Sequence, residues 1–385
     1  MSRAIKLTTE DRKLDHIKIT LERQVESKTT TLLDDIFIEH ISLPEIDFDK
    51  IDTTTEFLGK RINAPLMITG MTGGHPKTAE INRDLAIVAE KYGIALGLGS
   101  QRAAIEDKEL EWTFRIARDN APTIPLVANI GGPQLVKGYG IREIIRAIEM
   151  IDADGIAIHL NPLQEAFQPE GDRDYSGLIS KIVEIIDRSP VPVIIKETGS
   201  GLSPRIVSIL YDLGINHFDV SGLGGTNWGK VEVLRAEHRG IKGFKGKLDG
   251  YGDHWGNPTA FSVISSRIVA PYSTIISSGG IRTGLDIVKS IVIGGDLGGF
   301  ALPALRVLMK GGISGLEEFI EDIIYQVKVG LFLTGSSNVK QLRCKRFAIL
   351  NRRLLSMLSL AGFDIQEYNR VKCYNNLKVP EGWMR

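Results

Sequence analysis

The stretch TIISSGGIRTGLDIVKSIVIGGDLGGFALP, residues 274–303, contains the pattern on which the prediction of the fold depends. Two short apolar runs, 274–277 and 297–301, are separated by residues 284–293, in which apolar side chains recur with a helical period. Thr283, directly before that segment, is a good N-cap residue. A strand, a crossover helix and a second strand make one unit of a parallel sheet, so the stretch predicts an α/β fold.

The same pattern recurs toward the N-terminus from about residue 63, giving eight strand–helix units. Nearly all the strand candidates are continuously apolar, as expected of strands that are covered on both faces. Eight repeats favour closure into a TIM (β/α)8 barrel, and an open doubly wound sheet is the alternative. The predicted strands are 66–69, 94–98, 126–129, 155–159, 193–196, 217–220, 274–277 and 297–301; the predicted helices are 79–92, 141–151, 178–187, 204–213, 259–269 and 284–293, with Asp107 and Ser203 as further N-caps.

Composition narrows the classes of function. The 385 residues include 47 basic and 47 acidic side chains, so no net field attracts nucleic acid or an anionic membrane. No apolar run reaches about 18 residues and the first residues are charged, so we expect a cytoplasmic protein without a membrane partner. Cys344 and Cys373 lie far from every motif and are interpreted as structural thiols.

Segments outside the repeat suggest three regions: an N-terminal extension (1–62), the barrel (63–335) and a C-terminal helical extension (336–385). Within the first, residues 34–41 alternate between apolar and polar side chains. This alternation predicts a small sheet over the bottom of the barrel, or a lid.

A long loop and two helical patterns complete the chain. Residues 221–258 are too many for a simple connection, and Trp228 and Trp255 within them favour a functional loop. Residues 314–333 and 345–360 read as amphipathic helices. The basic residues flanking the second favour a solvated face or an oligomer contact over a nucleic-acid site; they are Arg343, Lys345, Arg346, Arg352 and Arg353.

The carboxyl ends of the predicted strands are consistently polar or glycine, and in this fold catalytic residues concentrate there. After the seventh strand, Gly279 and Gly280 can point amides at an anion and Arg282 can add charge, which predicts a phosphate site. Polar strand ends elsewhere suit a flat heterocycle. Lys196 would then lie near the pyrimidine end of a flavin, unless it pairs with Glu197 instead.

The motifs at these strand ends are specific in combination. They are R-K-x-x-H at 12–16, MTGG at 71–74, GSQR at 99–102, HLNPLQE at 159–165, KETGSG at 196–201, SGLGGTNW at 221–228 and SGGIR at 278–282. Over residues 12–333 the chain resembles the type 2 isopentenyl-diphosphate isomerases, an FMN-dependent family.

The resemblance implies interconversion of isopentenyl diphosphate and dimethylallyl diphosphate in isoprenoid biosynthesis, with reduced FMN and Mg²⁺ required and NAD(P)H as the reductant of the flavin. The implied FMN contacts are Met71, Thr72, Gly73, Ser100, Asn129, Lys196, Ser221 and Thr226, with Gly280, Ile281, Arg282, Ala301 and Leu302 at the phosphate. The implied contacts to the substrate diphosphate are Arg12, Lys13, Ser100, Gln101 and Arg102, with His159 and Asn161 nearby; Gln164 faces the isoprenoid end and Glu165 ligates Mg²⁺.

The implied reaction adds a proton to an unactivated alkene and removes another, so it needs a proton donor in a dry pocket. The expected acid and base is N5 of reduced FMN, with the neutral amide of Gln164 orienting, and with His159 and Lys196 as further catalytic residues. The alternatives are Gln164 and Glu165 as the acid–base machinery, and His159 as a hydrogen-bonded strand-end residue without catalytic work.

Rival functions remain open at this point. A hydroxy-acid oxidase or a dihydroorotate-type dehydrogenase would share the phosphate site, but would not explain Arg12, Lys13 and the Gln164–Glu165 pair. A purine-nucleotide dehydrogenase needs a loop cysteine, and a non-catalytic flavin-binding protein has no use for a second anion clamp. We also expect a homo-oligomer of four or more subunits, in which Arg12 and Lys13 act on their own barrel or on a neighbour's.

Overall fold

The structure, a computed structural model, describes residues 9–241 and 248–373. Most of its strands are short and buried, as their apolar sequences predict. They are β1 (Ile36–Ile38), β2 (Thr55–Phe57), β3 (Lys60–Ile62), β4 (Leu66–Ile68), β5 (Ala95–Gly97), β6 (Leu126–Gly131), β7 (Gly155–Leu160), β8 (Val193–Glu197), β9 (His217–Asp219), β10 (Thr274–Ser278), β11 (Leu297–Phe300) and β12 (Phe347–Ile349).

Eight of these strands form a closed parallel barrel in the order β10-β11-β4-β5-β6-β7-β8-β9, with β9 paired to β10. The predicted TIM barrel is therefore confirmed, and each predicted strand ends within two residues of the observed one. All six residues of β6 are buried, which explains its uninterrupted apolar sequence.

Helices surround the barrel. α6 shows why they form there: Ile144, Ala147, Ile148 and Ile151 lie on one face and are buried against the strands. The predicted N-caps Asp107, Ser203 and Thr283 each accept a backbone hydrogen bond. The helices are α1 (Thr9–Glu22), α2 (Pro76–Tyr92), α3 (Arg102–Glu106), α4 (Trp112–Asn120), α5 (Gly132–Val136), α6 (Ile141–Ile151), α7 (Pro162–Phe167), α8 (Leu178–Ile186), α9 (Pro204–Asp212), α10 (Trp228–His238), α11 (Tyr251–His254), α12 (Thr259–Val269), α13 (Gly284–Val292), α14 (Leu302–Leu333), α15 (Val339–Arg343), α16 (Arg352–Leu360) and α17 (Ile365–Val371).

The hairpin β2–β3 closes the amino-terminal end of the barrel. Phe57 and Ile62 are buried there against inward-facing side chains of the barrel strands, among them Met67, Val127 and Ile194. The sheet predicted for residues 34–41 is therefore not the cover of the barrel's bottom. Its strand β1 pairs instead with β12, near α13.

The N-terminal helix α1 lies on its own barrel. Asp15 accepts two hydrogen bonds of 2.7 Å from Arg239, at the end of α10. The following residues 25–31 form a strap that runs across the loop after β9, with the Ser27 amide donating to Gly225 and the Ala260 amide donating to Thr31. The strap fixes α1 above the carboxyl ends of the strands.

The C-terminal region differs from its prediction. Residues 345–360 are not one helix: β12 comes first, and α16 begins after Asn351, whose side chain caps two amides of the new helix. The alternation of buried Phe347 and Ile349 with exposed Ala348 is that of a strand. The predicted helix 314–333 is the second part of α14, which is interrupted at Gly312.

The two cysteines were wrongly interpreted as thiols, because Cys344 and Cys373 form a disulfide. The chain between them, whose ends are 29 positions apart, folds back so that the rings of Tyr368 of α17 and Phe347 meet edge to face, 6.1 Å between centroids. Within the described ranges, none of the helices combines the length and the apolar character needed to cross a membrane.

Candidate active site

A large cleft lies at the carboxyl ends of the barrel strands, with α1 along one side. It contains about 1420 Å³ of empty space, open solvent at its mouth included. Predicted site residues that line it are Arg12, Lys13, Met71, Thr72, Ser100, Arg102, Asn129, His159, Asn161, Gln164, Glu165, Lys196, Ser221, Thr226, Gly280, Arg282, Ala301 and Leu302.

The floor of the cleft is a ring of polar side chains from five neighbouring strands. His159 Nδ1 lies 2.8 Å from Asn129 Oδ1, and Lys196 Nζ lies 2.7 Å from Asp219 Oδ2. Ser278 donates to the other oxygen of Asp219. Lys196 is therefore paired, but with Asp219 of the adjacent strand and not with Glu197 as the alternative from the sequence had it.

Glu197 binds the backbone of the loop that follows β8. Its carboxylate accepts the backbone amides of Thr198 and Gly199 at 2.6 Å, and of Gly201 at 3.2 Å. Burial raises the pKa of this carboxyl, while the amide hydrogen bonds oppose the rise. Glu197 thus fixes the loop after β8, at the edge of the cleft.

The surroundings of His159 keep its imidazole neutral. Burial, and then the nearby charges of Lys13 and Lys196, lower the pKa of His159 to about 3. Because the Asn129 carbonyl oxygen can only accept, the hydrogen of the neutral imidazole is on Nδ1 and the lone pair is on Nε2.

One end of the cleft is built for an anion. Gly279 and Gly280 have φ of +92° and +79°, a region that favours glycine, and a Cβ on either would collide with backbone of the loop after β9. No side chain caps the first amides of α14, which begins after Ala301. Arg282 lies beside them, paired with Glu26 of the strap, and Glu26 also accepts from Arg306 at 3.0 Å.

A second cationic cluster lies between α1 and the loop after β5. Arg102 donates to Glu106 at 2.7 Å and to the buried Asp172 at 3.1 Å. Lys13 forms no ion pair with a described residue; burial first, and then the charges of Arg12 and Arg102, lower its pKa to about 7. These cations converge where an anionic group would compensate them.

Between the two ends, Gln164 and Glu165 project from α7. Asn161 donates to Gln164 Oε1 at 3.1 Å and to Glu165 Oε1 at 2.8 Å, while the Asp172 amide donates to Glu165 Oε2 at 2.6 Å. Burial raises the pKa of the Glu165 carboxyl, opposed by these hydrogen bonds. Glu165 is the carboxylate of the cleft wall that lies next to the cationic cluster.

Sequence reasoning missed Glu232 of α10, which is fully buried behind Gln164. It accepts from Gln164 at 2.9 Å and from Arg235 at 2.7 Å, and lies 2.8 Å from His16 Nε2. Burial alone would raise the pKa of Glu232, but His16, Arg235 and the hydrogen bond from Gln164 lower it to about 2. The R-K-x-x-H motif was the available signal, because its spacing places His16 on α1 one turn after Arg12 and Lys13.

Three predicted contacts do not line the cleft. Gln101 is fully buried in the barrel wall, where its side chain donates to the Ala147 carbonyl at 2.8 Å and accepts the Asn129 amide at 2.9 Å. Gly73 lies directly against the Phe114 ring, and the Ile281 side chain is buried in the core.

Proteins named isopentenyl-diphosphate delta-isomerase match most of this chain. An isopentenyl-diphosphate delta-isomerase from Ignicoccus hospitalis is 49% identical over 343 residues, 89% of this chain and 94% of that protein. Another from Aeropyrum pernix is 51% identical over 334 residues, 87% and 88% of the two chains. The chain belongs to the isopentenyl-diphosphate delta-isomerase family. A family model described as FMN-dependent dehydrogenase matches residues 178–348, which supports dependence on FMN.

Solved structures agree on the fold of this isopentenyl-diphosphate delta-isomerase family member. A mandelate oxidase with an FMN adduct gives a TM-score of 0.58 at 14% identity, covering 89% of this chain and 93% of that one. A flavocytochrome b2 with benzoylformate gives 0.60 at 16% identity, covering 82% and 76%. At such identities the likeness establishes the barrel fold alone.

The cleft of this family member has features that fit FMN. The uncapped start of α14 and the bare amides at Gly279 and Gly280 suit a phosphate, and the polar ring suits the edges of a flavin. Within the described chain, the Thr72 hydroxyl is buried with no hydrogen-bond partner, as expected of a group that a ligand satisfies. Ser221, also at the cleft, has a φ of +39°, a strained value for a residue with a side chain.

Mg²⁺ also fits. No group of three or more His, Cys, Asp or Glu side chains in the described residues could hold a metal by itself. Glu165 is a single carboxylate beside the cationic cluster, and Mg²⁺ typically takes one or two carboxylates with substrate phosphate oxygens and water.

Proposed function

We propose that the protein interconverts isopentenyl diphosphate and dimethylallyl diphosphate, with reduced FMN as its cofactor and Mg²⁺ on the substrate. The observation that carries this proposal is the presence of two separate anion sites in one cleft. One lies at Gly280 and the start of α14, and the other at Arg12, Lys13 and Arg102. A cofactor phosphate and a substrate diphosphate together would use both.

The proposed FMN site is the cleft floor and the phosphate end. Gly280, Arg282, Ala301 and Leu302 would hold the phosphate, and Arg282 would exchange part of its contact with Glu26 for it. The polar ring contacts would come from Met71, Thr72, Ser100, Asn129, Lys196, Ser221 and Thr226.

The proposed substrate site lies nearer to α1. Arg12, Lys13 and Arg102 would bind the diphosphate. A guanidinium group can donate two hydrogen bonds to phosphate oxygens at once, and the ammonium of Lys13 would add positive charge. Glu165 would hold Mg²⁺ against the same oxygens. Ser100 and Asn161 line the intervening wall, with the neutral imidazole of His159 between the two sites.

The reaction requires one proton to be added to the terminal alkene carbon and another to be removed from the carbon next to the one that bears the diphosphate. Reduced FMN, when bound, supplies an N5–H group that can serve as acid and base. Gln164 is held at both ends of its amide, by Asn161 and Glu232, so its role is to orient the isoprenoid chain. Exclusion of water from this end of the cleft by the bound substrate would protect carbocation character from capture.

Isotope exchange under controlled redox conditions tests the proposal. The purified protein should take up FMN in preference to FAD and, when anaerobically reduced with Mg²⁺ present, should exchange deuterium from solvent into isopentenyl diphosphate. With the flavin kept oxidised, exchange and turnover should vanish, because oxidised N5 carries no proton. Full turnover with oxidised FMN would instead assign the proton transfers to Gln164 and Glu165.

Several finer expectations stay predictions. NAD(P)H as the physiological reductant, a homo-oligomer of at least four subunits, a cytoplasmic location and the division at residues 62 and 335 are parts of the same proposal. The position of α1 on its own barrel supports Arg12 and Lys13 acting within one subunit.

A further inference from the structure

Residues 168–175, which follow α7, fold back on the wall of the cleft and contact it at several points. Arg173 donates to the backbone carbonyl of Glu165 at 3.2 Å. The Tyr175 hydroxyl donates to Asn161 at 3.1 Å. This loop also carries a buried carboxylate to which the function proposed above gives no role.

The carboxylate belongs to Asp172, which is 7% exposed. Its Oδ2 accepts from Arg102 Nη1 at 3.1 Å and from Gln134 Nε2 at 3.2 Å, and its Oδ1 is paired with Lys137. The backbone amide of the same residue donates to Glu165 Oε2 at 2.6 Å. One residue thus contacts both a cation of the proposed diphosphate clamp and the carboxylate proposed for Mg²⁺.

Arg102 is oriented by two carboxylates that differ in exposure. Its Nε donates at 2.7 Å to Glu106, whose side chain is 44% exposed, whereas the side chain of Asp172 is 8% exposed. An exposed ion pair is screened by water and salt and fixes geometry weakly, whereas a buried one is screened much less. Asp172 is therefore the contact that determines the direction of the guanidinium. Among the described residues, none accepts from Nη2 of Arg102, which leaves that nitrogen for a ligand.

We propose that Asp172 is a positioning residue that holds Arg102 of the diphosphate clamp and Glu165 of the metal site in one fixed relation. This inference rests on the proposed binding of a diphosphate and Mg²⁺ in the cleft. Mg²⁺ on Glu165 would have to reach oxygens of the same diphosphate that Arg102 contacts, and its octahedral coordination tolerates little displacement. Because Asp172 contacts both groups, it sets the separation between them.

Two different roles of the Asp172 carboxylate predict opposite effects of neutralising it. A carboxylate that acts only as a background negative charge repels a diphosphate, so its removal would strengthen binding. A positioning carboxylate that is neutralised releases the guanidinium of Arg102 and loosens the loop at Glu165, so binding would weaken. Arg12 and Lys13 of α1 also act on a ligand in this part of the cleft, but they are present in wild type and variant alike.

The experiment is a calorimetric titration of isopentenyl diphosphate into the oxidised holoprotein, with Mg²⁺ and again with the metal removed by a chelator. In the presence of Mg²⁺, Asp172→Asn should weaken binding about tenfold, because the new amide has a single acceptor oxygen for three donors. The factor by which Mg²⁺ strengthens binding should also fall. The absorbance of the bound flavin should stay as in wild type.

Glu106→Gln is the matched control, because it removes the same charge from the same guanidinium at an exposed position. It leaves the hydrogen bond from the Asp172 amide to Glu165 in place. Its affinity for isopentenyl diphosphate should differ from that of wild type by less than about fivefold, the usual limit for an exposed ion pair. The factor by which Mg²⁺ strengthens binding should be unchanged.

The outcomes separate the two proposals. A wild-type holoprotein that binds no isopentenyl diphosphate would reject the proposed substrate site. Binding by wild type, with Asp172→Asn as tight as Glu106→Gln or tighter, would overturn the role of Asp172 alone. If Asp172→Asn does not fold, Asp172→Glu is titrated instead, because it keeps the charge and moves the carboxylate by one methylene. Affinity and Mg²⁺ dependence equal to those of wild type in Asp172→Glu would overturn the positioning role as well.

Discussion

Lys13 should take up a proton when a diphosphate binds beside it. In the ligand-free protein, burial and the charges of Arg12 and Arg102 lower its pKa to about 7, so at pH 8 about nine-tenths of the molecules carry a neutral amine. An anionic oxygen about 4 Å from the ammonium contributes about 4 kcal/mol at an effective dielectric constant of 20, which favours the charged form about a thousandfold. The complex should therefore carry the protonated amine.

The sign of the pH dependence follows from this difference. The bound state holds more protons than the free state above pH 7, so affinity should fall as pH rises, by about tenfold per pH unit. At pH 8 binding should take up about 0.9 proton at this residue.

Calorimetric titration measures this uptake directly. Isopentenyl diphosphate is titrated with Mg²⁺ into the oxidised holoprotein, where no turnover is expected, in buffers of different ionisation enthalpy. The proton uptake of Lys13→Met gives the contribution of the ligand itself, which is subtracted from that of wild type. The matched control is Lys18→Met, which replaces an exposed lysine of the same helix. Equal proton uptake at pH 8 by wild type and Lys13→Met would refute the reasoning.

Three further predictions concern the clamp, the metal and the fold. Arg102→Ala should weaken diphosphate binding by about 1.5–3 kcal/mol without changing the flavin spectrum. The control is Arg115→Ala, which removes an exposed ion pair on α4 and should change neither the affinity nor the spectrum. Unaltered affinity in Arg102→Ala would place the diphosphate clamp elsewhere. Glu165→Gln should sharply raise the Mg²⁺ concentration needed for activity and be partly rescued by excess metal, whereas a loss of about 10²–10⁴-fold at every Mg²⁺ concentration would make Glu165 the general acid. Phe57→Ala should lower the free energy of unfolding by about 3–5 kcal/mol in denaturant titrations, because the ring closes the barrel and is 2% exposed; Phe37→Ala, at 52% exposure, should change it by less than about 0.5 kcal/mol.

The barrel could be predicted because nearly all of its strands are buried on both faces and therefore have apolar sequences. β6 illustrates this, since its sequence is apolar until Asn129, which lines the cleft. The strand end then marks the site, which is why most of the predicted residues line one cleft.

The pairing of β1 with β12 could not be predicted in the same way. Alternation at residues 34–41 indicates a strand but contains no information about a partner more than 300 positions away. The disulfide could not be predicted for the same reason, because two cysteines 29 positions apart become neighbours only after α17 folds back on β12.

Side-chain direction and register account for the remaining differences in the site. Ser100 and Arg102 face the cleft, whereas Gln101 between them turns into the barrel wall, and the GSQR motif does not distinguish these directions. The partner of Lys196 is likewise set by register, which places Asp219 opposite it and sends the adjacent Glu197 to the loop amides.

The hairpin β2–β3, which closes the amino-terminal end of the barrel, determines from which side ligands can enter. With Phe57 and Ile62 closing that end, the proposed flavin and isoprenoid would both enter from the opposite end of the described barrel, beside α1. On the proposed assignment the flavin lies deeper, against the floor, and the diphosphate lies nearer the entrance. On that assignment FMN would bind before the substrate and could not leave while the substrate is bound, so saturating isopentenyl diphosphate should slow the dissociation of FMN.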